Sequence, residues 1–277
     1  MTVLLHETTL ELRDRLTLMG VPLPFALKRR DPREPGRKLK EKTEDAIKAA
    51  FMAYFNKQKR IIFDTMIRIV PERKTDFGYD VDYYMRSMPD DMYGGDDFIA
   101  KIARLLVAGS AQGIDIFAEM INLEMDYTLV NERAAKWAVK YAGNLVGDID
   151  KTTKDTVRRV ISDFVKTPGM TVGDVVKRLP YKESRALAIA TTETTKTYAN
   201  AAQMAGEELA KEYPGVKVYK TWFTNNDDRV CQICGPLDGK EVLIDRSFYS
   251  PIGGGFPQPP AHVRCRCWMN TTTRIGA

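Results

Sequence analysis

The sequence predicts an α+β protein, mainly α: a long helical N-terminal region, then a helical bundle, then a small C-terminal zinc-clasped β-hairpin and loop module. Three observations predict it. Apolar residues recur at three- and four-residue steps without interruption from about residue 37 to 70, the period of a helix. A β-prone run occupies 216–223. All four cysteines lie beyond it, as Cys231-x-x-Cys234 and, just after His262, as Cys265-x-Cys267.

With 277 residues, 44% apolar and 29% charged, the chain can bury a core and has room for two regions, 1–144 and 145–277. No run approaches the roughly 18 apolar residues of a membrane span. The opening MTVLLHETTLELRD gains acids and an arginine too early for a secretory signal. A reducing compartment is therefore expected, where thiols hold metal or stay free. The formal charge of +5 does not by itself call for nucleic acid.

Residues 1–20 read as a short helix ended by Pro22 and Pro24. The segment 28–42 carries eight Lys/Arg against three Asp/Glu. It reads as a solvated linker or as an arm in which Arg29, Arg30, Arg33, Arg37 and Lys38 contact phosphate or an acidic partner. The helix over 37–70, about 50 Å at 1.5 Å per residue, suggests an extended rod that Pro71 stops. Residues 72–95, with Gly78, Pro89, Gly94 and Gly95, read as an irregular connector. Asp96 and Asp97 suit the start of the next helix, and further helical segments run to about Tyr141.

Three short helices are expected across 145–212. The first begins at Asp150 or Thr152, the second spans 171–179, and the third spans 185–212 with Ser184 as its cap. On the third, Leu187, Ala190, Thr194, Tyr198, Ala201, Ala205 and Leu209 form an apolar stripe. Arg185, Glu193, Lys196 and Asn200 fall on the other side. That polar strip reads as a solvated face or as an edge meeting the metal loop or a neighbouring subunit. Glu193 has no second acid or histidine at a spacing that would make a general acid–base pair.

In the C-terminal module, 216–270, Asn225 to Asp228 form a turn into the first cysteine pair. Leu237-Asp238-Gly239-Lys240 is a hairpin turn with a strand returning over 241–244. The Gly- and Pro-rich stretch 250–261 delivers His262. Cys231, Cys234, His262, Cys265 and Cys267 are five candidates for the four ligands of a zinc ion, with Cys265 and Cys267 competing for the last place. A set of four protein ligands leaves no open position, which makes the ion structural. Two disulfides fit the close Cys-x-x-Cys and Cys-x-Cys spacings poorly. A zinc deaminase would need a His-x-Glu ahead of the first pair, and none precedes Cys231. A zinc nuclease or hydrolase would lack a histidine base, since only His6 remains. Arg229, Arg264 and Arg266 flank the ligands, either balancing thiolate charge or meeting DNA phosphates as a nucleic-acid-binding zinc module would.

From about residue 145 to 270 the chain resembles the phage head morphogenesis (Mu F-like) minor head proteins of tailed bacteriophages. The resemblance is carried by SRALAIATTET with Asn200 downstream, by KTWFTNNDDRVCQICGPLDGK and by PPAHVRCRC. One position departs: such helices have an arginine just before Thr-Glu, where this chain has Thr191. The resemblance implies a non-enzymatic minor capsid protein, located in the virion near the portal vertex. Its implied partners are the portal protein, other head proteins and packaged DNA, with no membrane involved. Its implied roles are head assembly, DNA packaging or DNA delivery.

Overall fold

A computed structural model describes residues 30–70, 81–121 and 125–275. Arg29, the expected helix at 1–20 and part of the expected connector lie outside the described residues. The elements are α1 (Arg37–Ile69), α2 (Val81–Arg86), α3 (Asp96–Ile121), α4 (Thr128–Lys166), α5 (Val172–Arg178), α6 (Glu183–Glu212), β1 (Val216–Phe223), β2 (Glu241–Leu243), β3 (Phe248–Ser250), β4 (Gly254–Phe256) and β5 (Trp268–Ile275). No described helix is long and apolar enough to cross a membrane.

The expected long helix forms, but as a packed wall of the bundle and not as a free rod. Ile47, Phe51, Phe55, Ile62 and Met66 of α1 are buried in one core with Ile102 and Leu106 of α3, Val157 and Ile161 of α4, and Ala186 and Ala190 of α6. Burying side chains of this size removes enough apolar surface, at about 25 cal/mol per Å², to hold a helix of indifferent intrinsic propensity against its neighbours.

The helix expected to begin near Asp150 is instead the second half of α4, which runs unbroken for 39 residues. The division between 144 and 145 falls inside it. Asp150 does not cap a helix. Its carboxylate is buried and accepts from the Tyr54 hydroxyl at 2.9 and 2.8 Å, Gln58 Nε2 at 3.2 Å and the Gly94 amide at 2.7 Å. A charged residue that reads as a helix start thus serves as a polar rivet between α1, α4 and the turn before α3. At the start of α5, Thr171 and Asp174 close a reciprocal capping box.

Helix α6 is the axis of the molecule and packs on α1, α3, α4, β1 and β5. It is buried on nearly all sides, not on one stripe, because alanine and threonine let neighbours approach closely all round. Its first turn starts from Lys182 without a side-chain cap, so Ser184 sits within the helix. Helix α3 comes close at Gly113, where an added Cβ would lie 2.9 Å from Ala201 Cβ and 3.3 Å from the backbone of Tyr198. Gly143 of α4 faces open space. Gly113→Ala is therefore expected to cost about 1–3 kcal/mol through overpacking. Gly143→Ala should gain about 0.5–1 kcal/mol from helix propensity. Opposite shifts of the thermal midpoint check the pair, and a stabilising Gly113→Ala would contradict this packing.

The sheet has the antiparallel order β2-β1-β5. Strand β5 pairs β1 over its whole length, from Val216 with Ile275 to Phe223 with Trp268, so the module extends past the expected end at 270. The strand β2 returns as expected, Thr221 facing Glu241, after a turn with Gly239 at φ 72°. Within the expected loop 250–261, β4 folds back on β3. One side of the sheet rests on α6 through Val218, Ile244 and Met269. Beyond its end lies a separate small core built on Trp222, Ile233, Leu237 and Phe248 together with the four cysteines.

Candidate metal centre

Two limbs deliver the sulfur and nitrogen donors. The first leaves β1 at Phe223 and turns at Thr224, whose amide and hydroxyl both donate to Asp238 Oδ1. Cys231 and Cys234 sit on a tight turn closed by the Gly235 amide on the Cys231 carbonyl at 2.8 Å. In that turn the Cys234 amide also points at Cys231 Sγ, 3.4 Å away. The second limb carries His262 and Cys265 on a matching turn, with the Cys265 amide on the His262 carbonyl at 3.2 Å. Arg264 between them has φ 65°, a left-handed geometry uncommon for a residue with a side chain. It is held there by its amide on the Thr192 hydroxyl and its guanidinium on the Ser184 carbonyl.

All five predicted donors converge. His262 Nε2 lies 3.1 Å from Cys231 Sγ and 3.2 Å from Cys234 Sγ, and Cys234 Sγ lies 3.9 Å from Cys265 Sγ. The donor atoms form two groups, each mutually within 4.8 Å: Cys231, Cys234 and His262, and Cys234, Cys265 and Cys267. Cys234 belongs to both. A tetrahedral ion with bonds of about 2.3 Å separates its sulfur ligands by roughly 3.8 Å, close to the Cys234–Cys265 distance. The cysteines are buried and none is in a disulfide. Thiolate and imidazole are the donors that suit zinc. His262 Nδ1 is 2.8 Å from the Val263 carbonyl, which assigns its proton to that side and leaves Nε2 free to ligate.

The electrostatics are those of donors sharing too few protons. Hydrogen bonding from Cys234, and then from His262, outweighs burial and draws Cys231 down to about 4. Burial resists, but contact with Cys234 and Cys267 lowers Cys265 as well. The neighbouring sulfurs push Cys234 well up. Burial opposes the charging of His262, yet the Cys265 and Cys231 sulfurs raise it to about 9. A divalent cation bound here would take the place of those protons.

The other predicted residues fall elsewhere. Arg30 is no phosphate-binding side chain. It is buried, pairs with Glu34 and Glu44 at 3.2 and 3.1 Å, and donates to the Thr195 hydroxyl at 3.1 Å. Arg33 pairs with Asp31, and Arg37 with Glu41, while Lys38 is exposed. An ion-paired internal start to α1 thus replaces the expected solvated arm. The polar strip of α6 is not solvated either. The Tyr141 hydroxyl donates to Glu193 Oε2 at 2.8 Å and accepts from Lys196 at 2.9 Å. Arg185 donates to Thr152, Thr153 and the Ile149 carbonyl of α4. Asn200 reaches the second limb, its Oδ1 accepting from Gln258 at 3.3 Å. Burial raises the Glu193 carboxyl, as expected of an acid enclosed between two helices. At Thr191 the hydroxyl donates to Glu44 at 2.7 Å, so Glu44 takes its guanidinium partner from Arg30.

Two of the arginines singled out beside the ligands make internal contacts, and Lys220 and Thr195 support the site without having been singled out from sequence. Arg266 pairs with Asp227 at 2.7 Å, joining the limbs to each other, and Arg264 is committed to α6. Lys220 donates to Gln203 and to the Pro257 carbonyl, fixing the second limb to β1 and α6. Thr195 donates to the Cys265 carbonyl at 2.9 Å. No local pattern marks these residues, since each acts across a long sequence separation.

No curated protein and no solved structure matches the chain. The family model described as phage Mu protein F like protein matches residues 142–270, the segment from mid-α4 through both limbs of the clasp. Over residues 142–270, a little under half of its length, the chain is similar to the phage Mu protein F like family.

Proposed function

We propose that the protein is a non-enzymatic minor capsid protein of a tailed-phage head. In this reading it binds near the portal vertex, acts in head assembly, packaging or delivery of DNA, and is retained in the virion. The observation that carries the reading is the family match over 142–270, which spans the whole donor cluster. Cys231, Cys234 and His262, with Cys265 or Cys267, would hold a zinc ion. When bound, zinc supplies a cross-link between two limbs that hold few apolar residues of their own. The chain's own residues then bring the limbs to α6 through Asn200 and Thr195. Full coordination by protein donors makes the ion structural. The buried Glu193 is tied to Tyr141, an arrangement that fits helix packing better than proton transfer to a substrate.

Co-expression with the portal protein of the same phage tests the assembly role. The two are expected to co-purify, and the protein is expected in purified particles. Failure on both counts would remove the portal assignment. Metal-dependent cleavage of DNA by the purified chain would favour a zinc nuclease instead.

A further inference from the structure

The segment between Arg30 and α1 crosses the back of the clasp. Arg30, Asp31 and Glu34 are 3, 4 and 4% exposed, a degree of burial that charged residues rarely reach without a dedicated partner. The Asp31 amide donates to Asn225 Oδ1 at 2.8 Å, at the root of the first limb. Asn225 Nδ2 in turn donates to Asp227 at 3.1 Å, and Asp227 pairs with Arg266 of the second limb. The neighbouring Arg30 donates to Thr195, whose hydroxyl donates to the carbonyl of the donor residue Cys265. Two consecutive residues, almost 200 positions upstream in sequence, therefore hold both limbs at once. Glu34, Glu44 and Lys40 fix Arg30 in turn, with Lys40 Nζ 2.9 Å from Glu34.

We infer that residues 30–36 are a strap completing the metal clasp, so that zinc retention depends on Arg30, Asp31 and Thr195, and seating of the strap depends on zinc. The inference rests on the zinc reading of the cluster. Groups that orient ligands from outside the coordination sphere change metal affinity by about 10- to 100-fold when removed. Coupling between metal and strap must be equal in both directions. Thr195 is a positioning residue: it touches no ion and acts through the backbone of Cys265.

The test uses the full chain loaded with zinc and titrated with a chromogenic zinc chelator. Thr195→Val preserves shape and leaves the pairs of Arg30 with Glu34 and Glu44 in place. It is expected to weaken zinc binding by about 10-fold or more. Asp150→Asn, destabilised where α1 meets α4 and the turn before α3, should keep the wild-type zinc affinity and so controls for stability alone. In the wild type, stripping zinc should speed hydrogen exchange at the amides of Asp31, Arg33 and Glu34. Unchanged zinc affinity in folded Thr195→Val overturns the strap and leaves the zinc reading standing. Strap amides that stay protected after zinc is stripped do the same. A wild type that binds no zinc overturns both.

Discussion

Replacing Cys234 by serine is expected to take the protein from about one zinc per chain to none and to open the region 225–267. Cys234 is the one donor common to both groups of mutually close ligand atoms, so the set of Cys231, Cys234 and His262 loses a member whether Cys265 or Cys267 completes it. The unfolding should be local. Strands β1 and β5 keep their pairing and their contact with α6 through Val218 and Met269. The far core has only Trp222, Ile233, Leu237 and Phe248 beside the cysteines, too little to order two long limbs against their conformational entropy. Apparent zinc binding in comparable small sites is about 10–16 kcal/mol, far more than such a core can replace. Hydrogen exchange should therefore rise across 225–267 and stay slow in 216–220 and in α6. Chelation of the wild type should give the same map. Cys265→Ser and Cys267→Ser then separate the remaining candidates, since only the true ligand should reproduce the loss. A Cys234→Ser protein that keeps its zinc, or that keeps 225–267 protected without it, would end the clasp account.

What the sequence reveals depends on how far apart the interacting residues lie. The donors could be read because each pair is close along the chain, and knuckle spacing is a local property. The 37–70 helix could be read from its period, and α5 from the span 171–179 ahead of Pro180. The environment of α6 could not. Its stripe of Ala, Thr and Tyr looks one-sided, yet Glu193 and Arg185 meet α4 and not water. Arg30 shows the same limitation more sharply. In a run of cations it reads as wet, whereas Glu44 and Thr195, 14 and 165 positions away, make it internal. Strand β5 carries its β-prone Thr271–Thr273 run past the last cysteine, and only its pairing with β1, more than 40 positions upstream, draws it into the module.

Asp150→Ala should be the most damaging substitution outside the clasp. Three donors from separate parts of the chain converge on this carboxylate: the Tyr54 hydroxyl, Gln58 Nε2 and the Gly94 amide. Removing the acceptor leaves the Tyr54 hydroxyl proton without its partner, while Gln58 Nε2 keeps the Met92 carbonyl and the Gly94 amide keeps the Tyr54 oxygen. An unsatisfied buried donor costs about 1–3 kcal/mol, and with one donor stranded and two bonds weakened a loss of about 2–3 kcal/mol is expected. For a domain of this size that lowers the melting temperature on the order of 10 °C. Asp150→Asn keeps one acceptor oxygen and should lose roughly a third as much. The two differ in pH dependence as well. Burial raises the Asp150 carboxyl above the ordinary carboxylate range, against the pull of Tyr54, Gln58, Gly94 and Arg185. In the unfolded chain the group ionises first, near pH 4, while the folded chain still holds its proton. Between the unfolded and folded values the native state binds more protons, so the contribution of Asp150 to stability falls as pH rises through that window. Unfolding free energies of wild type and Asp150→Asn, compared from pH 4 upward, should show the wild-type advantage shrinking. An advantage that grows with pH would mean that the hydrogen bonds, and not burial, set the charge of this acid, and that Asp150 is held as a carboxylate by its donors.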